Sequence, residues 1–560
     1  MDGTEKIVDE RICANCGSDF QVLERDRAFY EKVDVPFPTW CPACRHIRRH
    51  GHVNDYVYYP RTCDACSKRF VAMFPAESSY RVVCQTCWYS EHRDDKAEGR
   101  DYDPSRRFFE QFDELMHAAP QMGNLAVNVE NSEYCESIAD CKNCYLISEC
   151  SHCEDCLYAY WIQKTQDSID NCYLHGCERC YEVSDSFNCY RLKYSSNCQS
   201  CSDSVFLDNC ISCSNCAFCV NLRHKEFHIF NEPCSKEEYA SRLAALGLDD
   251  SKNFEQARMR FHDLVSGQPR KHLQIEQSQS CVGDYIRNAK NCYTVFHCYD
   301  AEDCSYGEHV WRGAKDCMDV HTAGRGAELL YECTNTNMGA YHSMFCRYCW
   351  GCRFTEYSNF CVNSSHLFGC VGLQAGNKFC VLNKQYTERD YHALVAQIKT
   401  NMRRDGEYGE FFPLAMSLFG YNNSVSYDDR HYTKQDVLAK GWKWESASVG
   451  TSGKGTIEMR SIPTKISEVA DSISDEVLTC EACERNYKIV KRELLFYRAE
   501  RIPIPRACPD CRHRTRLKQR NPKELRTSHC SDCGIEVLTT LDGTRYRIIV
   551  CESCYQKRVY

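Results

Sequence analysis

The sequence predicts a multidomain, β-rich protein built around a cysteine-rich parallel β-solenoid in two related halves. Duplicated treble-clef or zinc-ribbon modules are predicted to flank it, with a few amphipathic helices. Three observations predict this class. The 560 residues include 45 cysteines, an eight-cysteine pattern occurs near each end, and the cysteines between recur at steps of 9 and 12 residues. At about 100–200 residues per domain, this length predicts three to five domains.

The composition predicts reduced cysteines in a cytoplasmic protein. The mean hydropathy is −0.57, and no run of apolar residues is long enough to predict a membrane-spanning helix. The first residues show no basic stretch followed by an apolar one, so no signal peptide is predicted. Cysteines in a chain that is not exported are expected to bind metal or to pack as small hydrophobes.

Composition divides the chain into five predicted segments. They are an N-terminal double zinc-finger module at 1–100, a first cysteine-rich solenoid half with helices at 101–250, a second half with a helix and an extended segment at 251–445, a linker with a short helix at 446–476, and a C-terminal double zinc-finger module at 477–560.

The two end modules share one cysteine spacing, C-x2-C-x24-C-x2-C-x18-C-x2-C-x17-C-x2-C, at an offset of 467 residues. The string Cys-Pro-x-Cys-Arg-His recurs inside both, at 41–46 and at 508–513. Eight identical spacings indicate a duplication. The predicted metal ligands are Cys13, Cys16, Cys41, Cys44, Cys63, Cys66, Cys84, Cys87, Cys480, Cys483, Cys508, Cys511, Cys530, Cys533, Cys551 and Cys554.

The C-x2-C pairs are typical of structural zinc sites. Two thiolates on a tight turn bind one face of a Zn²⁺ ion, and a second pair completes a tetrahedral site with no open position. Each module then holds two zinc ions, and the chain holds four. Adjacent pairs that share a zinc and a cross-braced pairing are both compatible with the spacing, and metal-free structural cysteines are the remaining alternative.

The middle of the chain, residues 135–380, holds 29 further cysteines without fixed partners. Asn-Cys dipeptides recur there, and Asn tolerates the left-handed conformation that tight solenoid corners need. The string Lys142-Asn-Cys-Tyr145 returns as Lys290-Asn-Cys-Tyr293, which indicates two related halves. Three interpretations of these cysteines stay open: reduced core packing, additional zinc or iron–sulfur sites, and disulfides.

Three helices are predicted beside the cysteine-rich regions. Residues 103–119 form an amphipathic pattern with Asp103 as its cap. Ser235 and Thr387 each precede an acidic residue by three positions, close to the capping-box pattern that begins a helix. The apolar stripe of the first helix consists of Phe108, Phe109, Phe112, Leu115 and Met116.

Charge is concentrated in the C-terminal module. Residues 477–560 contain 18 basic and 10 acidic side chains, a net charge of +8 in a chain of net charge −9. A basic cluster of this kind is typical of nucleic-acid binding. The alternative is that these side chains pair with the acidic middle domain or with the thiolate clusters. The candidate nucleic-acid-binding residues are Arg512, Arg514, Arg516, Lys518 and Arg520.

No nucleotide-binding loop, dinucleotide fingerprint, metalloprotease motif or nucleophile elbow occurs in the sequence. The predicted function is therefore a zinc-binding structural or interaction scaffold without catalytic activity. Two alternatives are a nucleic-acid- or ribosome-binding protein that uses the C-terminal module, and a redox or metal-handling protein that uses the solenoid cysteines. The predicted partner is a protein or a nucleic acid and not a membrane.

Several strings resemble an uncharacterised family of large, cysteine-rich zinc-ribbon (treble-clef) proteins from genome-reduced bacteria. They include Lys142-Asn-Cys-Tyr-Leu146, Gly406-Glu-Tyr-Gly-Glu-Phe-Phe-Pro413, Gly441-Trp-Lys-Trp444 and Cys508-Pro-Asp-Cys-Arg-His513. The resemblance covers nearly the whole chain. It implies a bacterial, cytoplasmic protein and zinc ligation by the paired cysteines, and it implies no activity.

Overall fold

The computed structural model describes residues 6–310, 317–323, 331–336, 339, 341–447 and 450–560. The chain forms two compact units. Unit 1 consists of Met1–Gly123 and Leu273–Ser446, and unit 2 consists of Asn124–His272 and Ala447–Tyr560. Each unit therefore contains one eight-cysteine module and one cysteine-rich half. In the described part of the chain, no helix is long and apolar enough to cross a membrane.

Helices are few and mostly short. In chain order they are α1 (Glu24–Lys32), α2 (Pro42–His50), α3 (Gln85–Trp88), α4 (Phe108–Ala118), α5 (Lys236–Ala245), α6 (Ser251–Ser266), α7 (Glu388–Arg404), α8 (Ser426–Asp429), α9 (Lys434–Ala439), α10 (Lys491–Glu500), α11 (Pro509–Gln519) and α12 (Glu552–Val559). Short 3₁₀ helices lie at Leu414–Met416, Tyr421–Asn423, Met459–Ser461, Ile466–Glu468 and Asp471–Ser474.

The largest sheet of unit 2 has 11 strands that follow one another in chain order. Its pairs are parallel except for the last, and partners lie 12 residues apart, as in Tyr145 with Leu157 and Tyr160 with Cys172. The strands are Ala126–Val127, Glu136–Ala139, Tyr145–Ser151, Leu157–Gln163, Cys172–His175, Tyr181–Phe187, Tyr190–Ser196, Ser202–Asp208, Ser214–Val220, Glu226–Ile229 and Glu232–Pro233.

Within this sheet the backbone repeats every three residues. Every third residue from Asn128 to Phe230 has a positive φ, for example 53° at Asn143. The residue after each of them is directed into the core, so Cys144, Ile147 and Cys150 are all buried. Four such triplets make the 12-residue step between paired strands. As predicted, Asn takes the left-handed conformation before most of the Asn-Cys cysteines.

The thiols of the inner cysteines donate to backbone carbonyls. Cys153 Sγ lies 3.3 Å from the carbonyl oxygen of Ser151 and 3.4 Å from that of Ile162. Inner hydroxyls use the same geometry, as Ser168 Oγ donates to the carbonyl of Gln166 at 2.7 Å. Burial raises the pKa of Cys135 to about 12, so this inner thiol is protonated at neutral pH.

Unit 1 contains a six-stranded and a five-stranded sheet, each again in chain order. The partner spacing varies from 11 residues (Val282 with Tyr293) to 13 (Glu308 with His321). The strands are Ile275–Glu276, Val282–Arg287, Tyr293–Tyr299, Glu308–Val310, His321–Ala323 and Thr334–Thr336, then Tyr341–Met344, Arg353–Glu356, Ser365–Phe368, Lys378–Val381 and Lys384–Gln385.

Short strands build the two modules, and two-stranded sheets pair each module with a neighbouring segment of the same unit. In unit 2, Arg270–Lys271 pairs in parallel with Ile549–Val550. The other module strands are Ile7–Ile12, Asp19–Leu23, Tyr59–Thr62, Arg69–Ala72, Val82–Val83 and Gln121–Met122 in unit 1, and Leu478–Thr479, Asn486–Tyr487, Arg526–His529 and Glu536–Thr539 in unit 2.

The predicted apolar stripe is buried in an aromatic core of unit 1. Phe112 stacks on Phe412 with ring centroids 5.0 Å apart, and Phe108 meets Tyr357 edge-on. The helix itself begins at Phe108 and not at the predicted 103. Asp103 instead accepts hydrogen bonds from both the backbone and the side chain of Ser105, which closes a turn before the helix.

The other two predicted helix starts are confirmed. Ser235 Oγ accepts from the backbone of Glu238 at the start of α5, and Thr387 Oγ1 accepts from Asp390 at the start of α7. The structure records one disulfide, between Cys304 and Cys317, and the remaining middle cysteines are thiols.

Candidate metal centres

The sixteen predicted ligands come together as four four-cysteine groups, each able to hold a metal ion. Adjacent pairs combine, so the cross-braced pairing is not adopted. The groups are Cys13, Cys16, Cys41 and Cys44; Cys63, Cys66, Cys84 and Cys87; Cys480, Cys483, Cys508 and Cys511; and Cys530, Cys533, Cys551 and Cys554.

Each group is built from a β-turn and a helix start. In the first group, Cys13 and Cys16 lie between the strands Ile7–Ile12 and Asp19–Leu23, while Cys41 caps α2. The caps of α3, α11 and α12 are Cys84, Cys508 and Cys551. The positive end of a helix dipole favours thiolates at these positions.

The turns require a left-handed residue after the second cysteine. Gly17 and Gly534 supply it with φ of 72° and 73°. Ser67 and Glu484 occupy the equivalent positions with φ of 60° each, although non-glycine residues in this conformation cost about 1–2 kcal/mol. The same turn therefore forms with and without glycine, and the cysteine spacing dictates the geometry.

The sulfur positions match a tetrahedral site. All four sulfurs of each group lie within 4.8 Å of one another. Zn–S bonds of about 2.3 Å imply sulfur–sulfur edges of about 3.8 Å. The recorded edges are 3.9 Å for Cys16–Cys41, 3.8 Å for Cys66–Cys84, 3.7 Å for Cys483–Cys508 and 3.8 Å for Cys533–Cys551.

Backbone N–H groups stabilise negative charge on the sulfurs. In each group the helix-capping cysteine donates its N–H to the first cysteine, as from Cys84 to Cys63 Sγ at 3.2 Å and from Cys551 to Cys530 Sγ at 3.3 Å. Burial raises the pKa of Cys63, but N–H donors of Cys84 and Cys66 lower it by more, to about 6. The same balance lowers the pKa of Cys530 to about 6. Thiolates are the form that binds metal.

Three of the five candidate nucleic-acid-binding residues are buried in ion pairs of unit 2. Arg512 and Arg516 both contact Asp170 at 2.9 Å, and Arg520 contacts Asp185 at 2.9 Å. These are pairs with the acidic middle region, the alternative that the charge distribution left open. On the same helix, Arg514 is half-buried and Lys518 is exposed.

The arginine pairing is repeated in unit 1. Arg45 and Arg49, equivalent to Arg512 and Arg516 at the offset of 467, contact Asp319 at 2.6 and 3.3 Å. All four guanidinium groups are almost fully buried. The first arginine of each pair directly follows the last cysteine of a four-cysteine group, so that group determines where the pair lies.

A tyrosine contact completes the repeated interface. Tyr306 donates to Asp26 at 3.0 Å in unit 1, and Tyr158 donates to Glu493 at 3.0 Å in unit 2. Asp26 and Glu493 hold the same position in the first turns of α1 and α10. The two units therefore dock module and sheet through equivalent groups.

No protein-family model matches the chain, and no curated protein matches it. Among solved structures, a chain described as a "putative acetyltransferase" from Desulfovibrio desulfuricans G20 is 10% identical, with 49% of this chain and 67% of that chain covered. The TM-score is 0.10, and a likeness at that score carries no argument.

Proposed function

We propose that this chain is a zinc-stabilised scaffold without catalytic activity. In this proposal the four cysteine groups are closed treble-clef zinc sites, and the parallel strands wind as two β-solenoid halves with cysteine side chains packed inside. The proposal places the protein in the reducing cytoplasm, within the cysteine-rich family that its motifs resemble, and its partner is another protein.

The repeated docking of module on sheet is the observation that carries the proposal. In both units the last cysteine of a metal group is followed by an arginine whose guanidinium reaches a fully buried aspartate, Asp319 or Asp170. Buried ion pairs need exact placement, because their desolvation is offset only with good geometry. A metal at the start of the helix supplies that placement, which supports a structural role.

The ligand set supports zinc. Four thiolates leave no open coordination position, and closed tetrahedral thiolate sites are typical of structural zinc. Binding energy at such sites adds directly to folding energy. The inner cysteines support a separate role in packing, because the thiols of Cys153 and Cys156 donate to backbone carbonyl oxygens. In the described residues, no group of three or more potential ligands includes them.

Elemental analysis of the full chain, purified without oxygen, tests the proposal. After dialysis against a weak chelator we expect four zinc ions per chain and no iron, and we expect loss of cooperative unfolding after a strong chelator removes the zinc. Cys508→Ser is expected to lower the count to three, whereas Cys153→Ser is a matched control at an inner position and keeps four. Iron that remains after the weak chelator, or an unchanged melting curve after the strong one, would contradict the proposal.

The nucleic-acid alternative stays a prediction, with a separate test. Binding through α11 predicts a steep loss of RNA affinity with salt, and a further loss in Arg514→Gln together with Lys518→Gln. These two substitutions spare the buried arginines, so the unfolding midpoint serves as the folding control. RNA affinity that is absent, or unchanged by the double variant, would remove this alternative.

A further inference from the structure

A cluster of two histidines and two carboxylates lies beside the first cysteine group in unit 1. His46 and His50 are one turn apart on α2, with ring centroids separated by 3.9 Å. Asp429, the last residue of α8, faces both rings. Its Oδ2 lies 3.1 Å from His46 Nε2 and 2.6 Å from His50 Nδ1. These three side chains can hold a metal ion.

The fourth member of the cluster, Glu308, lies on the side of the two histidine rings opposite Asp429. Glu308 Oε2 lies 3.6 Å from His46 Nδ1 and 3.4 Å from His50 Nε2, the two ring nitrogens turned away from Asp429. Histidines that bind a metal usually direct their second nitrogen at a carboxylate, a backbone carbonyl or water, which orients the ring and raises its basicity. Glu308 is 3% exposed and contacts His309 at 2.7 Å, so its own position is determined by packing.

We propose that His46, His50 and Asp429 form a fifth metal site, open to solvent and distinct from the four cysteine groups. Two imidazoles and one carboxylate suit a divalent first-row ion such as Zn²⁺, Fe²⁺ or Mn²⁺. Three protein ligands leave a coordination position for water or an anion. Side chains of His46 and Asp429 are each 23% exposed, which gives an ion access, whereas His50 is buried.

The site fits an ion after a small adjustment. Ligand bonds of about 2.1 Å place tetrahedral ligand atoms about 3.4 Å apart. The recorded nitrogen–oxygen separations of 3.1 and 2.6 Å are those of hydrogen bonds. An ion that replaces the shared protons therefore needs Asp429 to move outward by less than 1 Å, and Asp429 lies at the end of a short, partly exposed helix.

The duplication shows that the cluster is not needed for the shared docking. The C-terminal module keeps a histidine, His513, at the position equivalent to His46. It has Leu517 where His50 stands, and Tyr160 where Glu308 stands. His513 packs edge-on against Tyr160 at 5.6 Å. Both units keep the arginine pair and the cysteine groups, so the additional ligands are specific to unit 1.

Metal counting on the full chain tests this site separately from the zinc scaffold. The protein is dialysed against Zn²⁺, Co²⁺, Mn²⁺ or Fe²⁺ in turn. For at least one of these metals we expect five bound ions in total per chain, of which a weak chelator removes one and leaves four. His50→Leu copies the residue of the C-terminal module and is expected to hold four. His262→Leu, at an exposed position of α6, is the matched control and keeps five.

A second variant and a spectrum complete the test. Asp429→Asn preserves side-chain shape and is expected to hold four ions, and it decides the question if His50→Leu fails to fold. When Co²⁺ binds as the fifth ion, we expect additional d–d absorption bands. No additional thiolate charge-transfer band is expected, because the proposed ligands include no cysteine. The proposal is overturned if wild type stops at four ions for every metal, if Asp429→Asn keeps five, or if the fifth Co²⁺ shows thiolate charge transfer. A loss of the four tight ions would instead count against the zinc scaffold.

Discussion

Left-handed residues determine how the parallel strands of unit 2 repeat. Their positive φ is unusual for residues other than glycine and asparagine, yet Tyr158 and Phe206 also adopt it. Backbone hydrogen bonds offset the strain, since Asn143 N donates to the carbonyl of Glu130 at 2.9 Å and Lys142 N donates to that of Cys153 at 2.9 Å. The backbone around Asn143 is therefore hydrogen-bonded both to an earlier and to a later part of the sheet.

A pair of substitutions at neighbouring positions tests this local strain. At Asn143, Val is expected to be about 1–2 kcal/mol less stable than Gly, because a β-branched residue fits the left-handed region poorly. Both variants lose the same side-chain hydrogen bond to Asn131. At Lys142, which is extended, the order reverses and Gly is less stable than Val by about 0.5–1 kcal/mol. Urea unfolding measures both differences, and the same order at both positions would contradict the assignment.

Inner cysteines combine small volume with a donor that reaches the backbone. Cys153→Ser is expected to cost about 1 kcal/mol or less, because a hydroxyl at this place can donate to the carbonyl two residues earlier, as Ser168 does. Cys153→Leu is expected to cost about 1–3 kcal/mol, because added methyl groups overpack a filled core. The free energy of unfolding in urea compares the two. Equal stabilities would mean that the interior has spare room.

The sequence predicted that asparagines adopt the left-handed conformation, but it did not predict the three-residue period of the backbone. The Asn-Cys dipeptides indicated left-handed corners, and six of the seven asparagines have positive φ. Asn171 is the exception, because it is itself an inner residue and donates to the carbonyl of Cys180 at 3.0 Å. The three-residue repeat was missed because Ile, Leu, Ala, Ser and Thr share the inner position with Cys, which hides the period in a count of cysteines alone.

At the scale of elements, α11 and its counterpart α2 join the metal groups to the sheets. The sequence shows that α11 carries many basic residues, but it does not show which of their side chains face the sheet and which face solvent. Arg512 and Arg516 lie four residues apart and therefore on one face of the helix, toward Asp170. Lys518 lies on another face and is exposed. A sequence shows the cluster, and only packing shows which members are buried.

Removal of the buried carboxylate of Asp170 tests how strongly its ion pairs with α11 stabilise unit 2. Asp170→Asn keeps the shape of the side chain but leaves two guanidinium groups without their shared partner, so we expect a loss of about 3–5 kcal/mol in the free energy of unfolding. Asp167→Asn is the matched control, at an exposed left-handed position one triplet earlier. It is expected to change stability by less than about 0.5 kcal/mol. Equal effects of the two substitutions would mean that the ion pairs of Asp170 do not hold α11 against the sheet.

The histidine pair of α2 shows a further limit of sequence interpretation. His46 and His50 have the i, i+4 spacing of helical metal ligands, and that spacing is readable from the sequence. Their other neighbours, Glu308 and Asp429, lie more than 250 and 370 residues away along the chain. No local pattern connects them, so only the fold brings the four side chains together.

At the scale of the whole molecule, each unit combines distant parts of the chain. The N-terminal module belongs with the second cysteine-rich half, and the C-terminal module belongs with the first. Both duplications were visible in the sequence, at offsets of 467 and 148 residues. Which copy pairs with which was not visible, because nothing in the sequence near Asp170 or Asp319 indicates which arginine each aspartate pairs with. The predicted boundaries at 100, 250, 445 and 476 stay predictions.

This pairing of module and cysteine-rich half predicts which segments are destabilised when a single four-cysteine group is lost. Cys508→Ser removes a ligand from the third group, so α11 loses its fixed start and Asp170 loses the placement of Arg512 and Arg516. Hydrogen exchange is expected to rise in 447–560 and also in 124–272, although hundreds of residues separate parts of these segments. Cys41→Ser is the reciprocal variant, with increased exchange in 1–123 and 273–446. Peptide-resolved exchange by mass spectrometry distinguishes the two patterns. If Cys508→Ser instead loosened only its own module, or if both variants changed all segments equally, the units would not be the cooperative elements of this fold.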